Sequence, residues 1–117
     1  MSASQRRKGA AGEREWCAFL AGIGIAGAKR LLGQARDGGG DVPVPPILWE
    51  VKRHAAFAVY KHLDQAKAAL EQNPQCDTAA VAARGDNREW LVVLSADDFF
   101  RLMQRAQLGL LPPQRKE

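Results

Sequence analysis

The spacing of apolar residues changes between helical and strand-like several times along the chain. Helical spacing predicts three helices, over residues 9–21, 60–72 and 96–107. Short extended runs bounded by Gly, Pro, Asn or Asp predict five strands, over residues 28–35, 41–44, 47–53, 79–83 and 90–94. The predicted order α-β-β-β-α-β-β-α is typical of a single α/β unit.

Length and composition indicate one folded domain. The chain has 117 residues, of which 46% are hydrophobic and 26% charged, values typical of a globular protein. We expect the domain to span residues 9–108, after a basic, flexible N-terminal arm at residues 1–8 and before a C-terminal tail at residues 109–117.

The positive charge is concentrated near the N-terminus. Residues 1–40 contain seven Lys or Arg and three Asp or Glu, whereas the rest of the chain has ten of each. This asymmetry favours a polyanionic partner, with nucleic acid ahead of an anionic membrane, although many other basic proteins have a similar charge.

The cysteines and the N-terminus predict an intracellular protein. Cys17 and Cys76 have no metal-ligand spacing and are too few for a disulfide framework. The N-terminus has no apolar run after its basic residues, and no stretch reaches the length of a membrane span. We therefore expect a protein of the cytoplasm or the nucleoid, or of the host cytoplasm if the source is viral. We expect no membrane partner.

A carboxylate on the first predicted helix is expected to face the protein interior. At 100° per residue, Glu13 falls on the apolar stripe of Trp16 and Leu20, whereas Glu15 falls on the opposite side. A buried carboxylate requires a charged partner, hydrogen bonds or a metal. The alternative is that Glu13 only complements the helix dipole in the first turn.

The predicted hairpin around Pro45-Pro46 brings further charges together. Alternation puts Leu48, Glu50 and Lys52 on one strand face, and a symmetric loop pairs Glu50 with Asp41. Two carboxylates in direct opposition are destabilising, so a positive group is expected between them. Lys52 and a hard divalent cation both fit this requirement, and a surface charge cluster is the simpler alternative.

Together these motifs resemble a known enzyme family. RRKGAAGEREW, then GGGDVPV, then LWEVKR is similar to the PD-(D/E)XK nuclease superfamily, and specifically to archaeal-type Holliday junction resolvases. The resemblance covers roughly residues 6–72. It implies a restriction-endonuclease-like fold, with a central mixed β-sheet flanked by helices.

The resemblance also implies roles for individual residues. Glu13, Asp41 and Glu50 would bind Mg²⁺, or Mn²⁺ in its place, and Lys52 would lie beside the attacking water. No small-molecule cofactor is implied. The expected DNA contacts are basic residues of the N-terminal third and of the hairpin end: Arg6, Arg7, Lys8, Arg14, Arg36 and Arg53. Arg7 and Lys8 equally fit solubilising charges at a chain end.

The activity implied is metal-dependent, symmetric hydrolysis of four-way DNA junctions. Symmetric cutting requires two active sites, so we expect a homodimer, with its interface at the last strand and the last helix. Another nuclease of the superfamily (flap, nicking or restriction-like) is the first alternative, and a non-catalytic DNA-binding module of the same fold is the second. Gln65 is expected to face solvent. His54 and His62 are expected to lie near the DNA or simply to be exposed.

Overall fold

The computed structural model describes residues 3–30, 39–53 and 58–107, and for residues 3–8 and 39–40 it describes the backbone alone. The helices are α1 (Ala3–Gly22), α2 (Val59–Ala68, continued by a 3-10 turn at Ala69–Gln72) and α3 (Ala96–Gln107). The strands are β1 (Gly39–Val44), β2 (Ile47–Lys52), β3 (Thr78–Ala83) and β4 (Leu91–Val93).

The four strands form one mixed sheet in the order β1-β2-β3-β4. β1 and β2 form an antiparallel hairpin, β2 and β3 are parallel, and β3 and β4 are antiparallel. The parallel pair needs a crossover, which α2 supplies. The prediction of an α/β protein with a central mixed sheet and helices is confirmed.

Two boundaries differ from the prediction. Residues 28–30 have no regular secondary structure, so the first predicted strand is wrong there, and its remaining residues 31–35 lie outside the described part. Gly24 and Gly27 have positive φ just before, which takes the chain out of the strand region. The first helix begins at Ala3 and so includes residues 3–8, the stretch predicted as an arm.

Each face of the sheet has its own apolar cluster. On one face, Trp16 and Leu20 of α1 pack on Val42, Val51 and Ala82 of the strands. On the other face, the buried residues belong to α2 and β3, namely Leu63, Ala66, Ala79, Val81 and Ala83. The sheet therefore lies between α1 and α2, each buried along one stripe.

α1 approaches the end of β2 closely at Gly12. A Cβ atom at this position would lie 3.0 Å from the Cβ of Arg53. Gly12 is buried and immediately precedes Glu13. The missing side chain thus allows the helix to place Glu13 against the sheet.

α3 is held by polar contacts and has no buried residue. Ser95 Oγ accepts a hydrogen bond from the backbone N–H of Asp98 at 3.1 Å and so caps the N-terminus of α3. Arg101 donates to Thr78 Oγ1 at 2.7 Å, and Arg105 pairs with Asp77 at 2.8 Å. None of the described helices has the length and apolar character that crossing a bilayer requires.

Candidate functional site

The β1–β2 hairpin has the predicted register. Asp41 lies opposite Glu50 across the antiparallel pair, and a two-residue turn with a cis Pro45–Pro46 peptide bond joins the strands. Along β2, Leu48, Glu50 and Lys52 are buried on one face of the sheet, and the residues between them point to the other face. The hairpin therefore brings three of the four predicted site residues onto one sheet face.

All four predicted catalytic residues are buried. The exposed fractions are 1% for Glu13, 2% for Asp41 and 0% for both Glu50 and Lys52. Charged side chains are almost never buried to this extent unless they are paired. The prediction that Glu13 faces the interior is confirmed.

Two ion pairs compensate part of this buried charge. Lys52 Nζ lies 3.6 Å from Glu50 Oε1, and Arg30 Nε lies 3.4 Å from Glu13 Oε1. Both distances exceed those of strong charge-assisted hydrogen bonds. Within the described residues, Glu13 Oε2, Asp41 Oδ1 and Lys52 Nζ have no hydrogen-bond partner. The cluster thus keeps buried polar atoms that ordinary folding would pair.

Glu13 belongs to α1, which lies on the opposite face of the sheet from Asp41, Glu50 and Lys52. The helix packs on the sheet face of Val42 and Val51, which alternate with the site residues of the hairpin. Burial raises the pKa of Glu13 to about 7, the nearby Arg30 opposes this rise, and the negative charge of Asp41 adds to it. The buried carboxyl of Glu13 is therefore partly protonated near neutral pH.

The side chains as they stand do not enclose a cation. No group of three His, Cys, Asp or Glu residues that could hold a metal ion occurs among residues 3–30, 39–53 and 58–107. Carboxylate oxygens are nevertheless the donors that Mg²⁺ and Mn²⁺ prefer. Glu13 Oε2 and Asp41 Oδ1, which have no hydrogen-bond partner among the described residues, are oxygen donors of the kind that such an ion takes.

The six predicted DNA contacts fall into three groups. Arg14 is exposed on α1 beside Glu13. Arg53 donates to Glu15 at 2.9 Å and to Asp86 at 2.6 Å, so its guanidinium is occupied by two acidic side chains. The others lie outside the described residues or side chains: Arg6, Arg7, Lys8 and Arg36.

Nothing in the sequence indicated that Arg30 contacts Glu13. This residue falls within the stretch predicted as a strand, and no local spacing relates it to Glu13.

Two expectations about the exposure of α2 residues are corrected. His62 is buried and Gln65 is half-buried with a buried Oε1, because α2 turns both toward the sheet side, while His54 lies outside the described residues.

Comparison of the chain with protein-family models, with curated proteins and with solved structures finds no match in any of the three.

Proposed function

We propose that this protein is a metal-dependent DNA endonuclease with a restriction-endonuclease-like fold, and that it resolves four-way junctions by symmetric phosphodiester hydrolysis. The observation that carries the proposal is the buried hairpin pair Asp41–Glu50, with Lys52 two residues after Glu50 and with Glu13 close enough for the charge of Asp41 to raise its pKa. The mixed sheet between α1 and α2 supports the fold assignment.

The buried charges support a role in catalysis over a purely structural role. A hydrophobic hairpin of the same shape would fold at lower cost, because buried charges lose their hydration. Natural proteins keep unpaired buried polar groups mainly where function requires them. The buried pair Asp41 and Glu50, with Lys52 beside Glu50 and with Glu13 within the electrostatic reach of Asp41, therefore suits a site that receives a cation and an anionic substrate.

The chemistry requires charge compensation at a phosphate. Glu13, Asp41 and Glu50 would hold Mg²⁺ or Mn²⁺, which would supply positive charge to the phosphate oxygens and make water a better nucleophile. Lys52 orients the attacking water and offsets the negative charge that develops on the phosphate. Its pairing with Glu50 keeps the ammonium group inside the site. Arg14 provides an exposed positive charge for the DNA backbone.

The junction substrate implies a second copy of the chain. β4 is an edge strand with exposed Leu91 and Val92, and α3 exposes Phe99, Phe100 and Met103. Edge strands pair readily with a second edge, and a two-fold axis makes such a contact self-complementary. The same axis would place two active sites on one junction.

Cleavage of defined substrates tests the proposal. The purified protein is incubated with a four-way junction, a flap, a duplex and single-stranded DNA, with Mg²⁺ or with EDTA. We expect paired symmetric nicks in the junction, and only with Mg²⁺. Equal cutting of all four substrates would contradict junction selectivity, and binding without cleavage would contradict the enzyme.

A matched pair of variants tests the site itself. Lys52→Met keeps the length of the buried side chain and removes its charge, whereas Lys67→Met makes the same change at an exposed position of α2. We expect the first variant to lose cleavage by about 100-fold or more and the second to keep it. Circular dichroism and junction binding should show both variants folded.

A further inference from the structure

Arg30 is the basic side chain closest to Glu13 in the described part of the chain. Its Nε lies 3.4 Å from Glu13 Oε1, and the Arg30 side chain is 24% exposed while that of Glu13 is 1% exposed. It lies in the irregular segment that follows Gly27, whose φ is +86°. A partly exposed guanidinium thus covers a buried carboxylate.

The charges of the site indicate what this contact does. Arg30 pairs with Glu13, Lys52 pairs with Glu50, and the negative charge of Asp41 acts on Glu13, which makes three carboxylates and two basic groups. A divalent cation together with Lys52 would supply three positive charges, which balances the carboxylates without Arg30. With the cation in place, Arg30 is a surplus positive charge beside it.

We propose that Arg30 is an internal counter-ion of Glu13 that a divalent cation must displace, so that Arg30 weakens metal binding in the DNA-free protein. This inference rests on the metal site of the proposed function. Glu13 Oε2 has no hydrogen-bond partner among the described residues, so the carboxylate has one oxygen ready for a metal while Arg30 holds the other. Displacement also releases a guanidinium to pair with another anion.

Metal binding without DNA tests the proposal. Isothermal titration calorimetry with Mn²⁺ compares the wild type with Arg30→Gln and Lys29→Gln at one pH and low ionic strength. Lys29 is the exposed neighbour, so its variant has the same net charge without changing the contact to Glu13. At a pH above the pKa of Glu13, where its carboxyl is ionised, we expect Arg30→Gln to bind Mn²⁺ about three- to tenfold more tightly than the wild type, and Lys29→Gln to bind as the wild type does.

A charge-conserving variant separates competition from folding. Arg30→Lys keeps the positive charge and should keep the wild-type affinity, even if Arg30→Gln proves unstable on thermal unfolding. Equal or weaker Mn²⁺ binding by a folded Arg30→Gln, or tighter binding by Arg30→Lys, would overturn the inference while leaving the metal site intact. A wild type that binds no Mn²⁺ would instead overturn the metal site of the proposed function and this inference with it.

Discussion

Asp41 and Glu50 face each other directly across the β1–β2 hairpin, and both side chains are buried. Opposed residues of an antiparallel pair have Cβ atoms about 4.5–5.5 Å apart, a distance at which like charges repel strongly away from water. Lys52 offsets part of this repulsion, because its Nζ lies 3.6 Å from Glu50 Oε1. The metal-free hairpin is therefore held in an electrostatically unfavourable arrangement that a cation would relieve.

We predict that Asp41→Asn stabilises the metal-free protein and abolishes cleavage. The substitution removes one buried negative charge and the repulsion from Glu50, which should raise the free energy of unfolding by on the order of 1 kcal/mol. Urea unfolding in EDTA measures this change, and Mg²⁺-dependent junction cleavage measures the loss. Asp77→Asn is the control, because it removes the exposed ion pair to Arg105 and should not stabilise. A destabilised Asp41→Asn would argue against the repulsion.

Glu13 predicts a pH dependence of stability in the absence of metal. Burial raises its pKa from 4.5 to about 7, so the folded state binds more protons than the unfolded state in this range. Stability should therefore be greatest below pH 4.5 as far as this group is concerned, fall as the pH rises to about 7, and level off above it. The loss should be on the order of 3 kcal/mol.

Urea unfolding between pH 5 and pH 8 in EDTA measures this slope. Glu13→Gln should remove most of the slope, and Glu71→Gln, an exposed control, should keep it. Asp77 acts outside this window, since the hydrogen bond from Arg105 lowers its pKa and its contribution is lost only in more acidic solution. A slope unchanged by Glu13→Gln would show that another group titrates.

The hairpin could be predicted from the sequence because two strong local constraints agree. The period of two along β2 assigned Glu50 and Lys52 to one face, and the Pro45-Pro46 turn fixed the register. Helical spacing in the same way predicted that Glu13 is buried. These features depend only on neighbouring residues, so one sequence was sufficient.

The rest depends on contacts between distant parts of the chain. Arg30 reaches Glu13 across 17 positions, and Arg53 joins Glu15 across 38. Such tertiary pairings override local propensity and are not encoded in spacing. The burial of His62, by contrast, has a local signal, because His62 lies four residues before Ala66 on the same face of α2.

We predict that Gly12 and Gly22 respond differently to alanine. Gly12 lies in the interior of α1, where alanine is favoured over glycine by roughly 0.5–1 kcal/mol, and Gly22 is the last residue of the helix. A Cβ at Gly22 meets no atom within 4 Å, so Gly22→Ala should stabilise or be neutral. A Cβ at Gly12 lies 3.0 Å from Arg53 Cβ, so Gly12→Ala should be at least about 1 kcal/mol less stable than Gly22→Ala.

Cleavage assays add a second readout for the glycine pair. Gly12→Ala pushes α1 away from β2 and displaces Glu13, so its junction cleavage should fall, whereas Gly22→Ala should cut like the wild type. Equal stability and equal cleavage of the two variants would show that the Arg53 side chain moves aside without cost.

The exposed apolar side of α3 predicts that one substitution separates assembly from folding. Phe100 is 62% exposed, so Phe100→Asp should change the stability of the monomer little, but it would place a charge in the proposed dimer contact. We expect sedimentation velocity to show a dimer for the wild type and a monomer for the variant, with paired symmetric nicks lost and junction binding weakened. Gln104→Asp adds the same charge at another exposed position of α3 and tests whether charge alone is responsible. If Phe100→Asp stays dimeric and nicks the junction symmetrically, the two copies meet elsewhere than at the apolar side of α3.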